Sequence, residues 1–131
     1  MTNPAFRARS LGVALTVSDF PRSLAWYTKV LGFTKSRDFE REGVVTGAAL
    51  SAGDVELSLN QDDGKKGKRV LGQGFSMRLT TEQSIDDVAA RVKAAGGKLD
   101  TEPADMPWGS RIFTIFDPDG YKLVVSSPRK P

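Results

Sequence analysis

Two stretches, Gly12-Val13-Ala14-Leu15-Thr16-Val17 and Gly74-Phe75-Ser76-Met77-Arg78-Leu79, overlay position by position, each a glycine followed by three apolar residues at alternate positions. A period of two marks a strand with one buried face. The similarity continues downstream of both. After the first, Asp19-Phe20-Pro21-Arg22-Ser23 supplies a carboxylate cap and an early proline. Leu24, Tyr27, Val30 and Leu31 then recur at helical spacing up to Gly32, a glycine of the kind that ends helices. After the second, Glu82, Ser84 and Asp86 are cap candidates for a helix that carries Ile85, Val88, Val92 and Ala95 and ends at Gly96-Gly97.

Three extended runs come after each predicted helix. The first set is 33–40, 44–51 and 55–60, with turn signals at Arg41-Glu42-Gly43 and Ala52-Gly53-Asp54; the second is 98–101, Arg111–Phe116 and 121–126, its last two runs joined by Asp117-Pro118-Asp119-Gly120. The order β-α-β-β-β thus occurs twice, at about 11–60 and about 73–126 of a single domain 1–131, with the Gly-, Lys- and Asp-rich stretch 61–72 as a flexible connection. The expected fold is α+β, two tandem βαβββ modules whose curved mixed sheets face each other around a cleft, with function between the halves.

Composition narrows the chemistry. A length of 131 residues suits one core, and 39% hydrophobic against 27% charged residues argues against disorder. No window approaches the roughly 18 apolar residues of a membrane helix, and the first ten residues lack the apolar run of a secretion signal, so no membrane partner and a cytoplasmic location are expected. The chain has no Cys and no His. Thiol nucleophiles, thiolate metal sites, the commonest general base and the commonest transition-metal ligand are all missing, so a metal here needs oxygen ligands. The net charge of +3 owes much to Lys65, Lys66, Lys68, Arg69, Arg129 and Lys130, short runs that read as solvated loop and tail. No aromatic residues interleave with them, so no nucleic-acid partner is expected.

At this point the motifs resemble a known family. Val17-Ser18-Asp19, Ser23-Leu24-Ala25-Trp26-Tyr27 and Val30-Leu31-Gly32-Phe33 are similar to the first-module signature of the vicinal oxygen chelate superfamily of glyoxalases, bleomycin resistance proteins and extradiol dioxygenases. Pro107-Trp108-Gly109-Ser110-Arg111 and Phe116-Asp117-Pro118-Asp119-Gly120-Tyr121 are similar to its last strands, and the resemblance runs over about 11–126. It implies one metal ligand on the first and one on the last strand of each module. Carried over, those positions are Gly12, Gly74, Glu56 and Val124, of which only Glu56 can ligate. The resemblance therefore implies the fold without the metal, and no cofactor is expected; the branch most similar in type is the metal-free, homodimeric bleomycin resistance one.

By alternation the cleft is lined by Ala14, Thr16, Glu56, Ser58, Asn60, Ser76, Arg78, Val124 and Ser126. Glu56 and Arg78 are expected either to satisfy each other or to meet a ligand. Trp108, on a loop, is expected to contact the ligand, whereas Trp26 belongs to the helical core stripe. Arg111 suits an anionic ligand or a subunit neighbour. The expected binding set is Glu56, Ser58, Asn60, Ser76, Arg78, Trp108, Arg111 and Val124, with no catalytic residue. The expected function is metal-independent binding of a small molecule by a homodimer, such as sequestration of an antibiotic or toxic compound. The alternative is a lyase, isomerase or dioxygenase with an oxygen-ligand metal site at Glu56, drawing in Asp38, Glu40 or Glu42.

Overall fold

The computed structural model describes residues 5–129; Lys130 of the basic tail lies outside them. The chain runs β1 (Val13–Val17), α1 (Phe20–Ala25), β2 (Thr34–Arg41), β3 (Val44–Ala52), β4 (Val55–Gln61), β5 (Ser76–Thr80), α2 (Ile85–Ala94), β6 (Leu99–Asp105), β7 (Arg111–Phe116) and β8 (Lys122–Ser126). These form two sheets of identical topology, β1-β4-β3-β2 and β5-β8-β7-β6. In each, the strand before the helix pairs in parallel with the last strand of its module, and the other pairings are antiparallel. The fold is thus α+β, with two βαβββ modules. No ladder joins the two sheets, so they do not close on one another.

Local chemistry explains the elements and where they depart from the alternation pattern. Asp19 caps α1 by accepting from the Arg22 amide at 3.1 Å, and Ser84, among its three candidates, caps α2 by accepting from the Asp87 amide at 3.2 Å. The first helix does not run unbroken to Gly32: α1 ends at Ala25 and a π-helical turn, Trp26–Val30, continues from it. Leu11 falls outside β1 and is 84% exposed, so the buried stripe begins at Val13. β6 continues to Asp105, past the expected end at 101. Pro103 has no N–H to give the ladder, and the register slips between Thr101 and Ala104, which an outer strand tolerates.

One hydrophobic core spans both modules. Leu15, Tyr27, Leu50 and Leu59 of the first and Val92, Phe113, Ile115 and Leu123 of the second belong to a single buried cluster. Among the described residues no helix is long and apolar enough to cross a membrane.

Candidate functional site

The sheet faces turned away from that core carry the polar residues. On β1 and β4, Leu15, Leu57 and Leu59 are buried, while Ala14 pairs with Ser58 and Thr16 with Asn60 on the opposite side. Glu56 shares this side with Ser51 across the β3–β4 ladder. On β5 and β8, Met77 and Leu123 are buried, and Ser76 pairs with Lys122 and Arg78 with Val124 on the polar side. Glu56, Ser58 and Asn60 therefore stand together on one sheet, and Ser76, Arg78 and Val124 on the other. Glu56 and Arg78 make no ion pair among the described residues, so the first of the two expected alternatives, mutual satisfaction, does not hold: both are exposed and belong to different sheets.

Two further residues join the polar side of the first sheet. A Cβ on Gly47 would collide with the Leu59 carbonyl oxygen and lie 3.2 Å from both Asn60 Oδ1 and Phe39 Cδ2, so the missing side chain lets Asn60 and Phe39 approach across β3. The Arg37 guanidinium sits 5.2 Å from the centre of the Phe39 ring. Sequence alternation could not place this pair, because a register shift between Lys35 and Arg37 breaks the parity of β2.

Arg111 and Trp108 lie elsewhere. Arg111 shares the core-side parity of Phe113 and Ile115. Its Nε and Nη2 donate to the two carboxylate oxygens of Asp86 at 3.0 and 2.9 Å, and its Nη1 donates to Asp105 at 3.1 Å. These bonds lift the guanidinium pKa further and hold Asp86 below the usual carboxylate value. Arg111 thus ties α2 to the β6–β7 hairpin, with carboxylates where a ligand anion would have bound. Trp108 sits in that hairpin's turn, closed by the Met106 amide on the Ser110 carbonyl at 2.7 Å, and is 40% exposed. Trp26, by contrast, packs edge to face on Tyr27 at 4.8 Å against the core.

The turn at 117–120 is more than a turn. Asp117 is buried and accepts the Tyr27 hydroxyl at 2.8 Å and the Asp119 and Tyr121 amides at 2.9 Å each. Asp119 takes the Ser18 amide at 3.0 Å, the Ser18 hydroxyl, and Arg22 Nη2 at 3.2 Å, and the Tyr121 hydroxyl donates to the Thr16 carbonyl at 2.7 Å. The last turn of the second module thereby clasps the first. Beside it a hollow of about 360 Å³ opens over Ala14, Thr16, Arg69, Leu71, Phe75 and Tyr121, a size that suits a small ligand. A second hollow, about 720 Å³, separates the β3–β4 turn from the end of β5 and from α2.

The residues present do not fit the metal that the fold family implies. In the first module Gly12 precedes β1 and Glu56 precedes Leu57, the partner of Val13, so these two positions share a row. In the second, the register sets Arg78 across from Val124, while Gly74, like Gly12 in the first module, lies outside its strand. A pattern of period two is unchanged by a shift of four, so alternation could not see this. The four positions then hold one carboxylate, two glycines and a valine, with the Arg78 cation in the row of Val124. Among the described residues no group of three or more Asp or Glu side chains is placed to hold an ion, and Asp38 is paired with Lys35 at 2.9 Å.

Comparisons with known proteins agree with this architecture. A probable lactoylglutathione lyase of Vibrio parahaemolyticus is 31% identical over 123 residues, 88% of this chain and 87% of that protein. A probable chloroplastic lactoylglutathione lyase of Arabidopsis thaliana is 34% identical over 126 residues, 89% of this chain but only 35% of that protein, so the chain spans about a third of this relative. The solved glyoxylase/bleomycin resistance protein/dioxygenase domain from Frankia superposes with a TM-score of 0.78 at 22% identity, covering 95% of each chain. With residues 10–125 matching the family model as well, the chain belongs to the Glyoxalase/Bleomycin resistance protein/Dioxygenase superfamily.

Proposed function

We propose that the chain is a metal-independent small-molecule binding protein of the bleomycin resistance type, which holds a flat or amphipathic compound against its polar sheet faces. The observation that carries this reading is the donor set at the four positions where the family places metal ligands: Glu56 is the one residue there with a ligating atom, and Arg78 brings a positive charge to the row of Val124. In this reading two copies pair so that each covers the other's open sheet faces and water is excluded from the ligand. Sequestration of an antibiotic or other toxic compound in the cytoplasm needs nothing more.

A second reading, a lyase with a divergent site at Glu56, is favoured by the lactoylglutathione lyase names of the relatives. Elemental analysis separates the two. The purified, dialysed protein is expected to hold no stoichiometric divalent metal and to scatter light as a dimer of 14.2 kDa chains. One equivalent of zinc, nickel, manganese or iron, retained through dialysis and lost in Glu56→Ala, would establish the lyase reading instead.

Trp108 provides a second check. If the ligand reaches the β6–β7 turn, Trp108→Ala should weaken binding by about 2 kcal/mol, roughly thirtyfold, with the thermal midpoint almost unchanged because the indole is substantially exposed. A large fall in midpoint with affinity intact would make Trp108 a structural residue.

A further inference from the structure

We infer that the polar face of the second sheet is an anion seat beside an aromatic platform, built for a small molecule that carries a carboxylate or sulfonate on a flat apolar body. The inference rests on the binding-protein reading and names the class of ligand.

Arg78 on β5 and Lys122 on β8 project from the same face, since Ser76 pairs with Lys122 and Arg78 with Val124. On neighbouring strands, positions offset by two lie about 7–8 Å apart, close enough for both cations to reach one oxyanion and close enough to repel when none is present. Among the described residues Arg22, Lys35, Arg69, Lys93 and Arg111 have carboxylate partners, whereas Arg78 and Lys122, like the remaining described cations, have none within ion-pair distance. Asp119, three positions before Lys122, is taken by Ser18 and Arg22.

Asp100 also reaches this side of the sheet, where it accepts the Thr114 hydroxyl at 3.1 Å. It stands on β6, two strand spacings from Lys122 and three from Arg78, about 10 and 14 Å at the usual separation and outside a Debye length of about 8 Å. The face is thus left with two uncompensated cations. Phe116 pairs with Lys122 across the β7–β8 ladder, and its ring is 45% exposed on the same side. An exposed ring beside two unpaired cations and the Ser76 hydroxyl offers a surface for an apolar plane, two charged donors and a neutral one. Arginine supplies the fork that matches a planar carboxylate.

The test compares two probes with one ring system and opposite charge, 2-naphthoate and 2-naphthylmethylammonium, by calorimetry on the full chain with and without prior EDTA dialysis. The wild type should prefer the naphthoate by about tenfold or more, the usual effect of one hydrogen bond to a charged group. Arg78→Gln and Lys122→Gln should each erode that preference, and Phe116→Leu should weaken both probes alike. Arg78 and Phe116 are exposed and Lys122 is half-buried with no side-chain hydrogen bond to lose among the described residues, so the melting temperature should hold. Equal affinity for the two probes, no detectable naphthoate binding at millimolar concentration, or a preference untouched by Arg78→Gln would overturn the inference. Weakened dimerisation in Arg78→Gln with an unchanged preference would also overturn it, by showing that Arg78 meets Glu56 of a second copy. Naphthoate binding that vanishes after EDTA treatment would instead overturn the metal-independent reading.

Discussion

Replacing Asp117 with alanine is expected to cost about 3–5 kcal/mol in chemical denaturation, because two buried donors and a part-buried one lose their acceptor together and each stranded donor costs roughly 1–3 kcal/mol. Those donors are the Tyr27 hydroxyl and the amides of Asp119 and Tyr121. The tyrosine is fully buried and has no route to water, and burial together with the nearby carboxylate pushes its pKa up, so it remains a donor. Tyr27→Phe deletes one hydrogen bond without a cavity and should cost only about 1 kcal/mol. Burial also pushes the Asp117 carboxyl above its ordinary value, against the pull of the hydroxyl and the amides. The folded chain then binds this proton more tightly than the unfolded chain. The corresponding stability is fully present below the ordinary carboxylate pKa of about 3.9 and is lost as pH rises through the raised value. The stability gap between wild type and Asp117→Ala should therefore narrow with rising pH across the carboxylate range. A gap that widens would show that the hydrogen bonds outweigh burial.

Phe113→Ala is expected to cost about 3–5 kcal/mol, the range for emptying a buried aromatic site, in a domain whose whole stability is of order 5–15 kcal/mol. Phe113 is fully buried on β7 beside Val125. Its effect should not stay in the second module. The core is one cluster that also contains Leu15, Tyr27 and Leu50, so the first module should be lost in the same step. The fluorescence of Trp26, in the first module, and far-UV circular dichroism should report one common midpoint, lowered in the variant. Two separated transitions would show that the modules are independent folding units.

The fold was legible in the sequence because duplication doubles every local signal: an alternating strand, a capped helix and three extended runs appear twice with glycines in equivalent places. The site was legible only in part. Period-two reasoning put Glu56, Ser58 and Asn60 on one face and Ser76 and Arg78 on another, since it needs only parity. It could not tell that Arg78 is the residue across from Val124, because register is set by ladder pairing and a shift of four leaves parity unchanged. It also missed Arg37 and Phe39, whose strand carries a bulge. Arg111 looked like an anion site because its partners Asp86 and Asp105 are 25 and 6 residues away, each on another element. The π-helical turn after Ala25 leaves apolar residues at helical spacing, so it has no signature in the pattern.

The matching last turns of the two modules differ in how tightly they are tied down. The turn at 117–120 is bolted to β1 and α1 through Asp117, Asp119 and Tyr121, whereas its counterpart at Gly53 and Asp54 overlooks the hollow of about 720 Å³. One copy of the bend is a fastener, and the other makes no side-chain hydrogen bond among the described residues. For anyone re-engineering the chain, Gly53 and Asp54 are the place to open new termini or splice in an extra segment. The same operation at Pro118 would unfasten one half of the molecule from the other.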